Sequence, residues 1–261
     1  MNQESLNQEP LNQAPALNQV PLGQEALELR RKRGNLNHFA VLIRLLRDRR
    51  TFLDEVRNEV KLNRKISALL VASSCFFAVY GAIVGTYSGG LQIISSAIKL
   101  PALYLITLMI CVPTLYFFDI LFGSKLNFKQ YVVMALTSVA IISVLLFSFA
   151  PVILFFLISI QDYNFFLLLN VLVMGLTGCV GVRLFYKGMV DMAGPDGFEQ
   201  KLRLKLLQGW VVLYGLVGSQ LGWTLRPFFG ADNEVFQIFR PEIDGNFYAK
   251  VFQTIASMLG F

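Results

Sequence analysis

Between Ile66 and Trp223 the chain is a nearly unbroken succession of apolar blocks. A soluble domain of this size would show amphipathic helices or alternating strands, whereas several of these blocks reach the roughly 18 to 20 apolar residues that cross a bilayer. The predicted class is an all-α polytopic membrane helix bundle. Hydrophobic residues make up 55% of the chain even though its first 65 residues are polar. The formal charge of +6 would point to nucleic acid in a soluble protein. Here its distribution marks topology instead, and no nucleic-acid partner is expected.

Five spans are predicted within 66–224, over about Ile66–Tyr87, Pro101–Phe122, Tyr131–Ile158 with a kink at Pro151, Phe165–Tyr186 and Leu206–Trp223. Each has the length to cross about 30 Å at 1.5 Å per residue, the fifth only just. With the N-terminus inside, the cytoplasmic segments hold eighteen of the 23 Lys and Arg. Lys99, Arg226, Arg240 and Lys250 fall outside, and Arg183 lies within the fourth span. That asymmetry predicts an N-in, C-out orientation. The start of the chain lacks the pattern of a cleaved secretory signal, so the first span is expected to act as an uncleaved insertion signal.

Residues 1–25 carry a decaying Leu-Asn-Gln repeat with regular prolines (Leu6-Asn7-Gln8-Glu9-Pro10, Leu11-Asn12-Gln13-Ala14-Pro15) and read as a disordered low-complexity tail. Residues 26–65 read as a basic amphipathic helix on the cytoplasmic side. Its apolar stripe is Phe39, Leu42, Ile43, Leu46, Leu53, Val56 and Val60, at helical spacings. Arg30, Arg31, Lys32, Arg33, Arg44, Arg47, Arg49 and Arg50 are the candidate contacts to anionic lipid headgroups, each worth about 1 kcal/mol near the surface. The same charges would equally serve only to fix orientation.

After the fifth span, 225–261 forms an external aromatic segment and a short C-terminal amphipathic helix. Trp223, Arg226, Pro227, Phe228 and Phe229 are expected to fold back as an external cap, with Arg226 meeting backbone carbonyls or an acidic partner such as Asp232 or Glu242.

No catalytic set is legible. The single histidine, His38, lies in the basic arm, and Cys75, Cys111 and Cys179 lie inside apolar blocks without metal-ligand spacing, so no metal or cofactor is expected. Asp119 and Arg183 fall near the cytoplasmic ends of their spans, as interfacial residues or as one ion pair. Asn170, Ser143 and Ser148 are candidates for interhelical hydrogen bonds. Small-xxx-small pairs mark helix-packing faces at Gly81 and Gly85, Gly218 and Gly222, with Gly175, Gly178 and Gly181 in the fourth span.

The stretches Ala97-Ile98-Lys99-Leu100-Pro101 and Phe122-Gly123-Ser124-Lys125-Leu126 resemble a widespread group of bacterial, notably cyanobacterial, multispan proteins. So do Gln220 to Gly230 and Gly245-Asn246-Phe247-Tyr248. The resemblance covers most of the chain after Asn37 and implies a membrane architecture with no catalytic residue. Some members of that group carry an actin-binding WH2 label; Leu46-Arg47-Asp48-Arg49-Arg50-Thr51 only loosely approximates that motif's core, and we read the match as chance. In layout the chain is similar to Yip-type five-span trafficking adaptors. The expectation is a non-enzymatic scaffold, adaptor or assembly factor of an inner or thylakoid membrane, working with the bilayer and with a membrane-protein partner or a second copy. A small channel or transporter subunit is the alternative.

Overall fold

The computed structural model describes residues 38–88, 90–160, 162–192, 198–225 and 247–258. The low-complexity tail, Arg30 to Arg33, and the segment from Arg226 to Asn246 with Pro227, Phe228 and Phe229 lie outside the described residues. Everything below concerns the unit from His38 onward.

Among the described residues of that unit the elements are all helices: α1 (His38–Arg47), α2 (Arg49–Arg57), α3 (Leu62–Gly85), α4 (Leu91–Leu121), α5 (Phe128–Ser159), α6 (Tyr163–Met192), α7 (Phe198–Thr224) and α8 (Phe247–Met258). Four of them, α3 to α6, are long and apolar enough to cross a membrane. By length and composition they mark an integral membrane protein. At 27 residues α7 has the length but is not among the four, because Gln208, Gln220 and several glycines dilute its apolar content.

The predicted basic helix over 26–65 is interrupted. Asp48 caps the N-terminus of α2, its carboxylate accepting from the Thr51 amide at 3.2 Å and the Thr51 hydroxyl at 2.6 Å. That gives α2 its own start and separates it from α1. A second break precedes α3, where Glu59 and Lys61 adopt φ of 58° and 52°. Such left-handed backbone at non-glycine residues costs about 1–2 kcal/mol each and requires outside support.

The second span also differs from expectation. α4 begins at Leu91, ten residues before Pro101, and runs through both Pro101 and Pro113. Helix α3 makes this extension favourable. A Cβ on Gly85 would stand 2.8 Å from the Gln92 carbonyl oxygen, and one on Gly81 would strike the Ser96 carbonyl, so only glycine lets the two backbones approach this closely. Further along, Phe77 stacks on Tyr104 at 4.3 Å. The pairs 85 with 92, 81 with 96 and 77 with 104 run in opposite senses, so α3 and α4 are antiparallel neighbours.

At the centre is α5. From Gln130 to Ser143 every residue except the half-buried Val132 is buried, so this stretch is enclosed on all sides, chiefly by α3 and α6. Helix α7 leans on α4, where the Trp210 indole N–H donates to the Cys111 carbonyl at 2.8 Å. The amphipathic α8 packs on α6 and α7, and its Tyr248 hydroxyl shares a 2.8 Å hydrogen bond with Ser219.

Candidate functional site

Two buried polar clusters lie toward opposite ends of the bundle. The first is built on α4, where Gln92, Ser96, Lys99, Leu103 and Thr107 recur at spacings of four and three and so share one face of the helix. All five are buried. Lys99, expected in an external loop, therefore sits inside a long apolar helix at only 5% exposure. Within the cluster the Gln92 amide donates to Ser96 Oγ at 3.2 Å. From α3 the Tyr80 hydroxyl donates to Asn170 Oδ1 of α6 at 3.1 Å, and the Asn170 amide donates back to the Phe166 carbonyl at 2.8 Å. A lysine held in such a place is a candidate functional group, because an ionisable side chain is costly there. Deeper in the bundle the hydroxyls of Ser73, Thr107, Ser143 and Thr177 bond to carbonyls of their own helices.

The second cluster closes the other end. Tyr131 of α5 donates to Asp119 of α4, and Tyr131 also shares a 2.6 Å hydrogen bond with Ser124 in the α4–α5 connection. Of the two alternatives for Asp119 and Arg183, the ion pair does not form: Asp119 is buried against Tyr131, and Arg183 is exposed. The Gln130 side chain accepts from the Asn127 backbone amide at 2.7 Å at the start of α5, and its own amide group reaches across to the carbonyls of Val56 and Arg57 at 3.0 and 3.1 Å. Asn127 donates to Glu59, one of the two left-handed residues. These bonds supply the outside support that the α2–α3 turn requires.

Lys65, in the first turn of α3, completes the attachment. It is 5% exposed, donates to the Val60 carbonyl at 3.1 Å, pairs with Glu55 at 2.9 Å and sits 5.0 Å above the Phe52 ring. Glu55 holds Arg44 of α1 through its other oxygen at 2.6 Å.

The candidate lipid contacts thus divide. Arg47 and Arg50 are exposed, and Arg44 is bound to Glu55 while remaining 56% exposed. Arg49 turns inward and donates to the Leu184 carbonyl of α6 at 2.8 Å, so it ties α2 to the bundle and is not placed for a headgroup. A hydrogen bond to a backbone carbonyl of another helix is a use of arginine that charge counting does not register.

The glycines divide as well. Gly81 and Gly85 seat α4, while a Cβ on Gly218 or Gly222 would meet Thr107 or Leu103 of α4 at an ordinary 3.6 or 3.9 Å. A Cβ on Gly175 or Gly178 would meet nothing within 4 Å, so among the described residues no helix packs on that face of α6. Three-residue spacing turns by about 60° per step around a helix. Only Gly181 enters the buried stripe of Asn170, Val173, Thr177 and Phe185, where it lies against Ile142.

Trp223, at the end of α7, is partly buried. His38 opens α1, its side chain outside the described residues. Cys111 is buried as expected of an apolar filler, whereas Cys75 and Cys179 are exposed on the bundle surface. Among the described residues no three His, Cys, Asp or Glu side chains gather as metal ligands would. A cavity of about 30 Å³, walled by Leu108, Val139, Ile142, Gly181, Trp210 and Tyr214, lies between α4, α5, α6 and α7. It has room for about one water and an apolar wall.

No family model matches the chain, and no curated protein or solved structure does either.

Proposed function

We propose that the protein is a non-enzymatic membrane scaffold, adaptor or assembly factor, with five spans and a cytoplasmic N-terminus. The supporting observation is the enclosure of α5. A helix buried on every side from Gln130 to Ser143 fills the axis of the bundle, as suits a rigid body that presents its outer surface to others. The basic helices α1 and α2 are fixed to one end through Glu55, Lys65, Arg49 and Gln130, so they hold a set position beside the bundle. Exposed Arg47 and Arg50 at that end suit anionic headgroups and the positive side of an inner or thylakoid membrane. α7 is read as the fifth span on the strength of its 27 residues and its contact with α4.

The test is affinity purification of the tagged full chain in mild detergent. A stoichiometric membrane-protein partner that remains bound through size exclusion is the expected result. A chain that purifies alone and drives solute or ion flux in proteoliposomes would overturn it.

One observation favours a second reading, a small transporter or channel subunit. Lys99 lies buried on α4, on the same helix face as Ser96 and Gln92, and buried lysines in spans often serve ion or proton pathways. Under that reading Lys99→Met abolishes flux while the chain still folds. Under the scaffold reading there is no flux to abolish.

A further inference from the structure

The placement of α1 follows from the length of α3. At 24 residues α3 is the shortest of the four apolar helices, about 36 Å long, against a hydrocarbon core of about 30 Å. Its apolar stretch from Ile66 to Gly85 therefore has to fill the membrane from side to side. Phe76, ten residues beyond Ile66, stands about 15 Å from the foot of that stretch, close to the mid-plane.

Helix α1 reaches this level. The Phe39 ring meets Phe76 edge to face at 5.7 Å, and Phe76 meets Phe147 of α5 at 5.0 Å. From there α1 runs back toward the foot of α3. Five residues after Phe39, Arg44 joins Glu55, which also binds Lys65, the residue just before Ile66. A ten-residue helix is about 15 Å long, so α1 covers the distance from mid-plane to membrane edge while lying along α3. A helix resting on headgroups would lie across the end of α3 instead.

The two faces of α1 agree with this depth. Leu42 and Leu45 are buried against the bundle, Ile43 and Leu46 point away from it at 62% and 52% exposure, and Phe39 touches Phe76 with one edge while 42% of it stays exposed. Arg44 is the one charge in the middle of the helix, and its long side chain carries the guanidinium to Glu55 and Lys65 at the membrane edge.

We propose that α1 is a half-depth helix sunk into the half of the bilayer beside the N-terminal end of α3, with its Phe39, Ile43 and Leu46 face covered by lipid acyl chains. The inference rests on α3 crossing the membrane and is independent of whether the bundle is a scaffold or carries a solute.

The test uses the full chain in phosphatidylcholine–phosphatidylglycerol vesicles, with the three native cysteines replaced and one nitroxide attached at Ile43→Cys, Ile106→Cys or Arg50→Cys. Oxygen should relax the label at 43 several-fold more effectively than a water-soluble nickel chelate does, as at 106 on the exposed face of α4, with the order reversed at 50. A label at 43 that behaves like the one at 50 would place α1 in water. One shielded from both reagents would show a protein segment covering the face. Either result overturns the proposal. A second variant, Ile43→Trp on the native-cysteine chain, keeps the test independent of cysteine removal. Lipids brominated at mid-chain should quench its added emission strongly, and an unquenched added signal would equally contradict insertion.

Discussion

The Tyr80 hydroxyl on α3 and the Asn170 side chain on α6 meet at 3.1 Å inside the bundle, bridging two helices with a single polar contact. Hydrogen bonds between spans contribute about 0.6 to 2 kcal/mol. Tyr80→Phe keeps the ring and removes the donor, so it should destabilise the purified protein by about 1 kcal/mol in a reversible denaturation assay. In a double-mutant cycle with Asn170→Leu the two effects should be less than additive. Strict additivity would mean that the two side chains do not stabilise one another.

Glu55 holds two cations of unequal exposure, and its removal should be felt mainly through the buried one. Glu55→Gln leaves Lys65 at 5% exposure with the Val60 carbonyl and the Phe52 ring but no carboxylate. Breaking a buried pair from one side costs on the order of 3 kcal/mol. Arg44→Ala, at a side chain 56% exposed, should change stability by less than about 1 kcal/mol. Equal effects from the two substitutions would argue against this division.

Glycine substitutions should separate the packed face of α3 from the open face of α6. Gly85→Val drives a side chain into the Gln92 carbonyl and should cost at least about 1–3 kcal/mol or prevent assembly. Gly175→Ala meets nothing within 4 Å and should stabilise α6 by up to about 1 kcal/mol through helix propensity. Melting temperatures of the two variants in one detergent are enough. Destabilisation by Gly175→Ala would reveal a partner helix on that face.

Which of these features the sequence disclosed follows from what each one depends on. Hydropathy located the four apolar helices because a span leaves its mark in every residue it contains. The true start of α4 was hidden by Pro101, a residue that more often opens a helix than sits inside one. With that start went the burial of Lys99, which depends on Gly81 and Gly85 admitting α4 on another helix. The break at Asp48 was visible as a capping residue followed three positions later by Thr51, yet the apolar spacing runs across it and outweighed it. Arg49 could not be told from its basic neighbours, since what distinguishes it is the Leu184 carbonyl far along the chain. The central position of α5 could be read only faintly, in a stretch apolar on every face.

Acid should loosen α2 through its cap. Asp48 is held below the ordinary carboxylate value of 3.8, first by the hydrogen bonds from the side chain and backbone of Thr51, with Arg44 and Arg50 adding to them. A depressed folded-state pKa means that the cap contributes fully above the unfolded value and is lost as the pH falls through the folded one. Amide exchange at the start of α2, corrected for intrinsic rates, should therefore accelerate below about pH 4, near the ordinary Asp value. Asp48→Asn should keep the cap and remove that dependence. A wild-type profile that is flat between pH 5 and pH 2 would contradict the assignment.

The proposed five crossings would place position 50 and position 232 on opposite sides of the membrane, and the proposed cytoplasmic location of the basic end goes with that odd number. The direct measurement is labelling of single cysteines at Arg50→Cys and Asp232→Cys in oriented membrane vesicles with a reagent that does not cross lipid. The account predicts that position 50 reacts only from the cytoplasmic side and position 232 only from the opposite side. Reaction of both from the same side would make the number of crossings even, remove α7 as a span and contradict the five-span account.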